Sequence, residues 1–272
     1  MSDRTGIEWT DATWNPLRGC SRVSAGCRNC YAERVAARFS GPGQPYERLA
    51  ATALDHPLHW RKPRRIVVNS MSDLFHQDVS DEWIDRVFAA MALAPHHQFQ
   101  VLTKRPGRML EYIARRDDQG RVPALDYAVL IAVTGQYTTP AIDLRCGWPL
   151  PNVWLGTSVK DQPTADARIP HLLATPAAVR FVSAEPLLGP VDLTAYMFGA
   201  HQTEETDWCA RRLNWLIVGG ESGPGAQPMH PDWARSLRDQ CAAASVPFFM
   251  KQMAREAPIP DDLMVRKFPD AR

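Results

Sequence analysis

The stretch NVWLGTS, Asn152–Ser158, decides how the chain folds. Its apolar residues run together instead of alternating with polar ones, and it closes on two hydroxyls, Thr157 and Ser158. A short apolar run without alternation is the pattern of a strand covered on both faces, as in a parallel sheet. The pattern recurs at Arg65–Ser70, Gln98–Thr103, Val179–Ser183, Asn214–Gly219 and Val246–Met250, and a first strand is expected near Thr13–Pro16. Helical periodicity fills several intervals. Trp83, Val87, Phe88 and Met91 share one helical face behind the cap candidates Ser80 and Asp81. Trp233, Leu237 and Cys241 form a second stripe behind Pro231, a residue suited to a first turn. Strand and helix alternating in this way mark repeated βαβ units. The expected fold is α/β, a partial TIM barrel of the (βα)6 type, with an open doubly wound sheet as the alternative. The chain reads as one domain, 1–272, with an insertion expected around 116–150, where Tyr127–Val133 is apolar.

The 272 residues carry a formal net charge of +1, and 45% are hydrophobic and 22% charged. This balance excludes the strong positive field of a protein that lives on nucleic-acid backbone, so a nucleic-acid substrate would have to be met by a local site. No apolar run reaches the roughly 18 residues of a membrane span. The opening residues, MSDRTGIEWTDATW, do not read as a secretory signal. A chain of this length buries a core without staples, so its six cysteines are not needed as disulfides. The expected home is a reducing cytoplasm, where clustered cysteines are more often metal ligands or catalytic groups.

In either α/β architecture the chemistry sits at the carboxyl ends of the strands. There the chain places Asn69–Asp73, Thr103–Arg105, Thr157–Ser158, Ser183–Pro186, Gly219–Gly223 and Lys251–Gln252. Two carboxylates, Glu185 and Glu221, and two lysines, Lys104 and Lys251, stand among them. His76 is a candidate acid or base, and Glu221 a candidate substrate-facing group. Lys104 and Arg105, just before Pro106, suit an anion at a helix start. The glycine stretch Gly219–Gly225 allows an anion or a flat ring close to backbone, but it lacks the lysine and serine of a phosphate-binding loop. Arg61–Arg65 and His96-His97 precede strands, so they belong to the opposite face, the basic run as solvated charge.

Three cysteines crowd one loop, Cys20-x6-Cys27-x2-Cys30. Thiolates select zinc, copper(I) or iron–sulfur clusters. Gly19 and Gly26 precede two of them and permit tight turns. Structural zinc asks for four protein ligands, and only three are local. Cys146 and Cys209 are scattered, and Cys241 reads as a small buried hydrophobe. One reading is therefore a cluster with one iron left open to a small molecule. The other is a non-enzymatic binding module stapled by zinc, its site completed by Cys146, Cys209 or a histidine.

The three-cysteine loop after a first strand, the aromatic Tyr31 beside the last cysteine, and a βα barrel together resemble the radical S-adenosylmethionine (SAM) superfamily. The commonest motif there is C-x3-C-x2-C, and this loop departs from it with six residues in the first gap. A closer resemblance spans nearly the whole chain. Thr5–Thr10, Thr13–Pro16, Gly26–Ala32, Ser70–Phe75, Leu102–Pro106, Asn152–Val159, Ser183–Gly189 and Val218–Gly223 are similar to the phage and prophage three-cysteine-motif family, which is distantly similar to spore photoproduct lyase. The resemblance implies that Cys20, Cys27 and Cys30 hold a [4Fe–4S] cluster and that SAM completes the open iron. It further implies a 5′-deoxyadenosyl radical that abstracts hydrogen from a substrate the resemblance does not name, with nucleic acid or a nucleotide as one candidate. An electron donor is implied as well, with room for a partner protein. By the same resemblance Tyr31 packs near the adenine, and Ser70, Ser72 and Asp73 contact the methionine moiety. Lys104 is a candidate for the SAM carboxylate. Glu185 is a candidate for a ribose hydroxyl or amino group, and Ser158 for a similar contact.

Overall fold

The computed structural model describes residues 5–40, 50–51, 54–115, 148–198, 212–223 and 225–270. In chain order the strands are β1 (Ala12–Trp14), β2 (Leu17–Arg18), β3 (Ala50–Ala51), β4 (Arg65–Val68), β5 (Gln98–Thr103), β6 (Val153–Val159), β7 (Val179–Ala184), β8 (Trp215–Gly219) and β9 (Phe248–Gln252). The described helices are α1 (Tyr31–Ser40), α2 (Asp81–Leu93), α3 (Pro106–Ala114), α4 (Gln162–Ala174), α5 (Thr194–Met197) and α6 (Pro231–Ala243). Every expected strand is present within two residues at its start, and β5 matches the expected span at both ends. The expected insertion around 116–150 lies mostly outside the described residues, as do Cys146 and Cys209.

Seven strands form one sheet in the order β1-β4-β5-β6-β7-β8-β9, and β2 pairs with β3 in a separate antiparallel ribbon. The pairs β1–β4, β4–β5, β7–β8 and β8–β9 are parallel. The order rises through the sheet without reversing. A doubly wound sheet must reverse at a switch point, so that alternative is set aside in favour of barrel-type βα connectivity. Among the described residues the sheet has seven strands where the (βα)6 expectation has six, the strand expected near Thr13–Pro16 being one of the seven. All residues of β6, β7 and β8 are buried, which is why these strands read as unbroken apolar runs.

The chain divides into two compact units. The first comprises Met1–Ser21, Ala32–Trp154 and Thr175–Ala178. Its core strands β1, β4 and β5 set Trp14, Val68 and Val101 in one row, and Trp14 meets Phe99 edge-on at 5.9 Å. Helix α2 starts as expected: the Ser80 hydroxyl accepts from the Trp83 N–H at 3.3 Å, filling one of the donors a helix start leaves open.

The second unit comprises Arg22–Tyr31, Leu155–Ala174 and Val179–Arg272. Phe181, Trp215, Phe249 and Phe268 form its aromatic floor, with successive ring centroids at 5.7, 6.2 and 5.2 Å. Gly156 belongs to that floor. A Cβ there would sit 2.5 Å from the Phe181 ring, so the glycine is a packing requirement of β6. The carboxyl-terminal segment covers the edge of β9. The Met250 N–H donates to the Val265 carbonyl at 2.8 Å and the Lys267 N–H to the Phe248 carbonyl at 2.9 Å, and this blunts an open strand edge. Cys241 lies buried on α6, and burial pushes its thiol up to about 12, in keeping with its reading as a small hydrophobe.

Gly156→Ala should lower stability by about 2 kcal/mol through overpacking against the Phe181 ring. Phe181→Leu in the same background should recover part of the loss, and urea unfolding of the single and double variants checks the coupling.

Candidate functional site

In the first unit the loop after β4 and the end of β5 meet at one carboxylate. Asp73 is buried, and all its acceptor positions are taken. Oδ1 accepts from the Phe75 N–H at 3.0 Å and the Thr103 hydroxyl at 2.7 Å. Oδ2 accepts from the Lys104 N–H at 3.0 Å and from Arg105 Nη1 at 3.1 Å. A carboxylate offers about four such positions, so Asp73 acts as a hub inside the protein.

Arg105 carries that order to the cysteine loop. Its Nη1 lies 3.6 Å from the Cys20 sulfur. Its Nη2 donates to the carbonyl and the hydroxyl of Ser21, both at 3.1 Å. Burial works to lower the Arg105 pKa, but the Asp73 carboxylate and the Cys20 sulfur outweigh it and raise the value, so the guanidinium stays charged. On the far side of Ser21 stands His76, buried, with Nε2 2.6 Å from the Ser21 hydroxyl and Nδ1 accepting from the Asp78 N–H at 3.2 Å. His76 thus braces the cysteine loop. Gly19, at φ 95°, forms a parallel bridge to Ser72, a conformation that favours glycine. Ser70 donates to Asn15 Oδ1 at 3.1 Å and Ser72 to the Leu17 carbonyl at 3.0 Å. Both hydroxyls stitch the loop after β4 to the loop after β1. Lys104 is half-buried.

In the second unit, Cys27 closes a 3-10 turn over Ala25–Cys27, its N–H bonded to the Ser24 carbonyl at 2.9 Å. Gly26 meets only ordinary contacts at 3.5 Å and beyond where a Cβ would stand, and it lacks a positive φ. Of the two glycines expected to permit tight turns, Gly19 alone is held where glycine is favoured. Cys27 and Cys30 are half-buried thiols outside any disulfide, as is Cys20 in the first unit. Tyr31, the first residue of α1, is exposed.

The carboxyl ends of β7, β8 and β9 gather a second polar group. Glu185 forms an ion pair with Lys251, each side chain about one-fifth exposed. Two local features serve this pair. The β8–β9 register shifts between Val218 and Gly219, leaving Lys251 as an extra residue; such bulges re-aim side chains. Gly219 leaves room for Glu185, whose Cδ would lie 3.3 Å from a Cβ there. The Ser158 hydroxyl, buried, donates to the Glu185 carbonyl at 3.3 Å. Glu221 is buried and accepts from the Gln227 N–H at 2.8 Å, which places it in its own loop's framework. Gly220 is pressed against Ala254, with backbone N only 2.3 Å from where its Cβ would be. Its N–H is spent on the Gln252 carbonyl at 3.0 Å. The first two glycines of this stretch therefore answer to close packing.

Among the described residues, no three side chains of His, Cys, Asp and Glu are gathered closely enough to hold a metal ion. The donor chemistry of the loop still suits iron–sulfur: three soft sulfur donors outside any disulfide, one beside a fixed cation. Among the described residues, no helix is long and apolar enough to cross a membrane.

A family model described as protein of unknown function (DUF5131) matches residues 4–264. The chain belongs to the DUF5131 family. No curated protein matches it. Among solved structures, a cysteine-to-serine mutant of spore photoproduct lyase is similar at 12% identity and a TM-score of 0.47, over 86% of the DUF5131 chain and 73% of its own. Sequence reasoning about this DUF5131 chain missed Ser21; what ties it to the site is contact with Arg105, far away in the chain.

Asp73→Asn leaves the Arg105 guanidinium without its counter-charge in a nearly buried position, and should cost about 3 kcal/mol or more. Thr103→Val removes one neutral hydrogen bond to the same carboxylate and should cost about 1 kcal/mol. Urea unfolding of both variants checks the ranking.

Proposed function

We propose that this DUF5131 protein is an iron–sulfur enzyme of the radical SAM type. Cys20, Cys27 and Cys30 would hold a [4Fe–4S] cluster, with SAM as its further ligand. When bound, this pair supplies one-electron cleavage of SAM to methionine and a 5′-deoxyadenosyl radical, which takes a hydrogen atom from the substrate. The observation that supports the reading is the cysteine loop itself. Three reduced, half-buried thiols stand within eleven residues, and the first lies beside a guanidinium that cannot lose its charge. Three ligands are one short of a structural zinc site and suit a cluster with an open iron. Metal binding commonly organises its own ligands, and the six- and two-residue gaps give the loop freedom to draw the thiols together.

The chain's own residues bind, orient and exclude water, as protein does around any radical cofactor. Asp73, Arg105 and His76 fix the first cysteine. Lys104 and Tyr31 are the groups proposed for the carboxylate and the adenine of SAM. Ser70 and Ser72 border the cysteine loop, and Ser158 and Glu185 present polar atoms at the ends of β6 and β7. A nucleic-acid or nucleotide substrate, a one-electron donor and a cytoplasmic setting complete the proposal, on the strength of the resemblance to the phage three-cysteine family.

Anaerobic reconstitution with iron and sulfide should yield brown protein that releases 5′-deoxyadenosine from SAM once reduced. Cys27→Ala should lose both the cluster and SAM cleavage to background. Colourless wild-type protein with one bound zinc would overturn the reading.

A further inference from the structure

We infer that Arg105 is a positioning residue that orients the Cys20 thiolate and raises the reduction potential of the cluster this loop would hold. The inference rests on the proposed function and adds a regulator of its electron transfer. The geometry carries it. One guanidinium bridges four atoms of the first unit: Asp73 Oδ2 at 3.1 Å, the Ser21 carbonyl and hydroxyl at 3.1 Å, and the Cys20 sulfur at 3.6 Å. Its side chain is only 12% exposed. The contacts differ in kind. Asp73 is fixed by Phe75, Thr103 and Lys104, so it anchors the fork from behind. Ser21 is gripped from the other side by His76 at 2.6 Å, so the loop cannot slide along the fork. Within this set, the sulfur is the one partner that would ligate metal and carry electrons.

The physical consequence follows from charge. On reduction the cluster takes one electron from a one-electron donor and passes from the 2+ to the 1+ state, and its ligand sulfurs gain electron density. A fixed cation with an N–H directed at one of these sulfurs stabilises the reduced state more than the oxidised one, and hydrogen bonds to cluster sulfurs are a recognised control of potential. Asp73 tempers this charge without cancelling it, because Nη1 faces both carboxylate and sulfur. A residue that served packing alone would alter folding and leave the potential where it was.

The test is spectroelectrochemical titration of reconstituted protein, with iron content and a circular dichroism spectrum as controls. Arg105→Met and Arg105→Gln both remove the charge, and Gln keeps donors for Asp73 and Ser21. Each should load the cluster and show roughly a tenfold lower ratio of reduced to oxidised cluster at a fixed potential, equal to a shift of about 59 mV for one electron. Arg105→Lys keeps the charge and should recover most of the shift. Should Arg105→Met fail to fold or to hold iron, Arg105→Gln decides. A charge-free variant that loads its cluster at the wild-type potential overturns the inference and leaves the proposed function standing, as does a Lys variant shifted as far as Met. Wild-type protein that takes up no cluster overturns both.

Discussion

The buried Asp73 carboxylate is the constraint on which the first unit's site depends. Four donors from two segments converge on it, and one of them is an arginine that reaches on to Cys20 and Ser21. A buried charge left without such partners costs several kcal/mol, so the loops after β4 and β5 are held to one arrangement. Cys20 inherits that order through Arg105 and Ser21. The start of the cysteine loop is thus kept in place by an electrostatic anchor.

A similar economy operates in the second unit with different materials. Gly219 and the register shift beside it let Glu185 and Lys251 meet at the ends of β7 and β9. Gly220 lies flush against the backbone at Ala254. The aromatic floor of Phe181, Trp215, Phe249 and Phe268 lies lower on the same strands, and its closeness demands Gly156. Polar atoms gather at the carboxyl ends of these strands because the apolar contacts below fill the space between them.

The strands were legible because burial on both faces leaves an unmistakable composition. From Asn152–Ser158 outward the apolar runs recur, and the structure has a strand at each. Helix α2 was legible through Ser80, whose side chain performs the capping its type suggests. The covering of β9 by the carboxyl-terminal segment was not legible. Its bonds run through backbone atoms of Val265 and Lys267, and backbone bonds leave no mark on residue type.

The sequence alone determined that the chain is an α/β protein of parallel strands, that polar groups crowd the strand ends, and that three thiols share one loop. These are local properties, set by composition and spacing. Only the tertiary structure decided what each polar group does: that Asp73 is an internal hub, that Arg105 rather than a neighbouring lysine lies beside Cys20, and that Lys251 pairs with Glu185. Such roles depend on which segments meet, on a one-residue slip between β8 and β9, and on space left by missing side chains. None of these is a property of a single stretch of chain, because long-range contacts are chosen by packing of the whole.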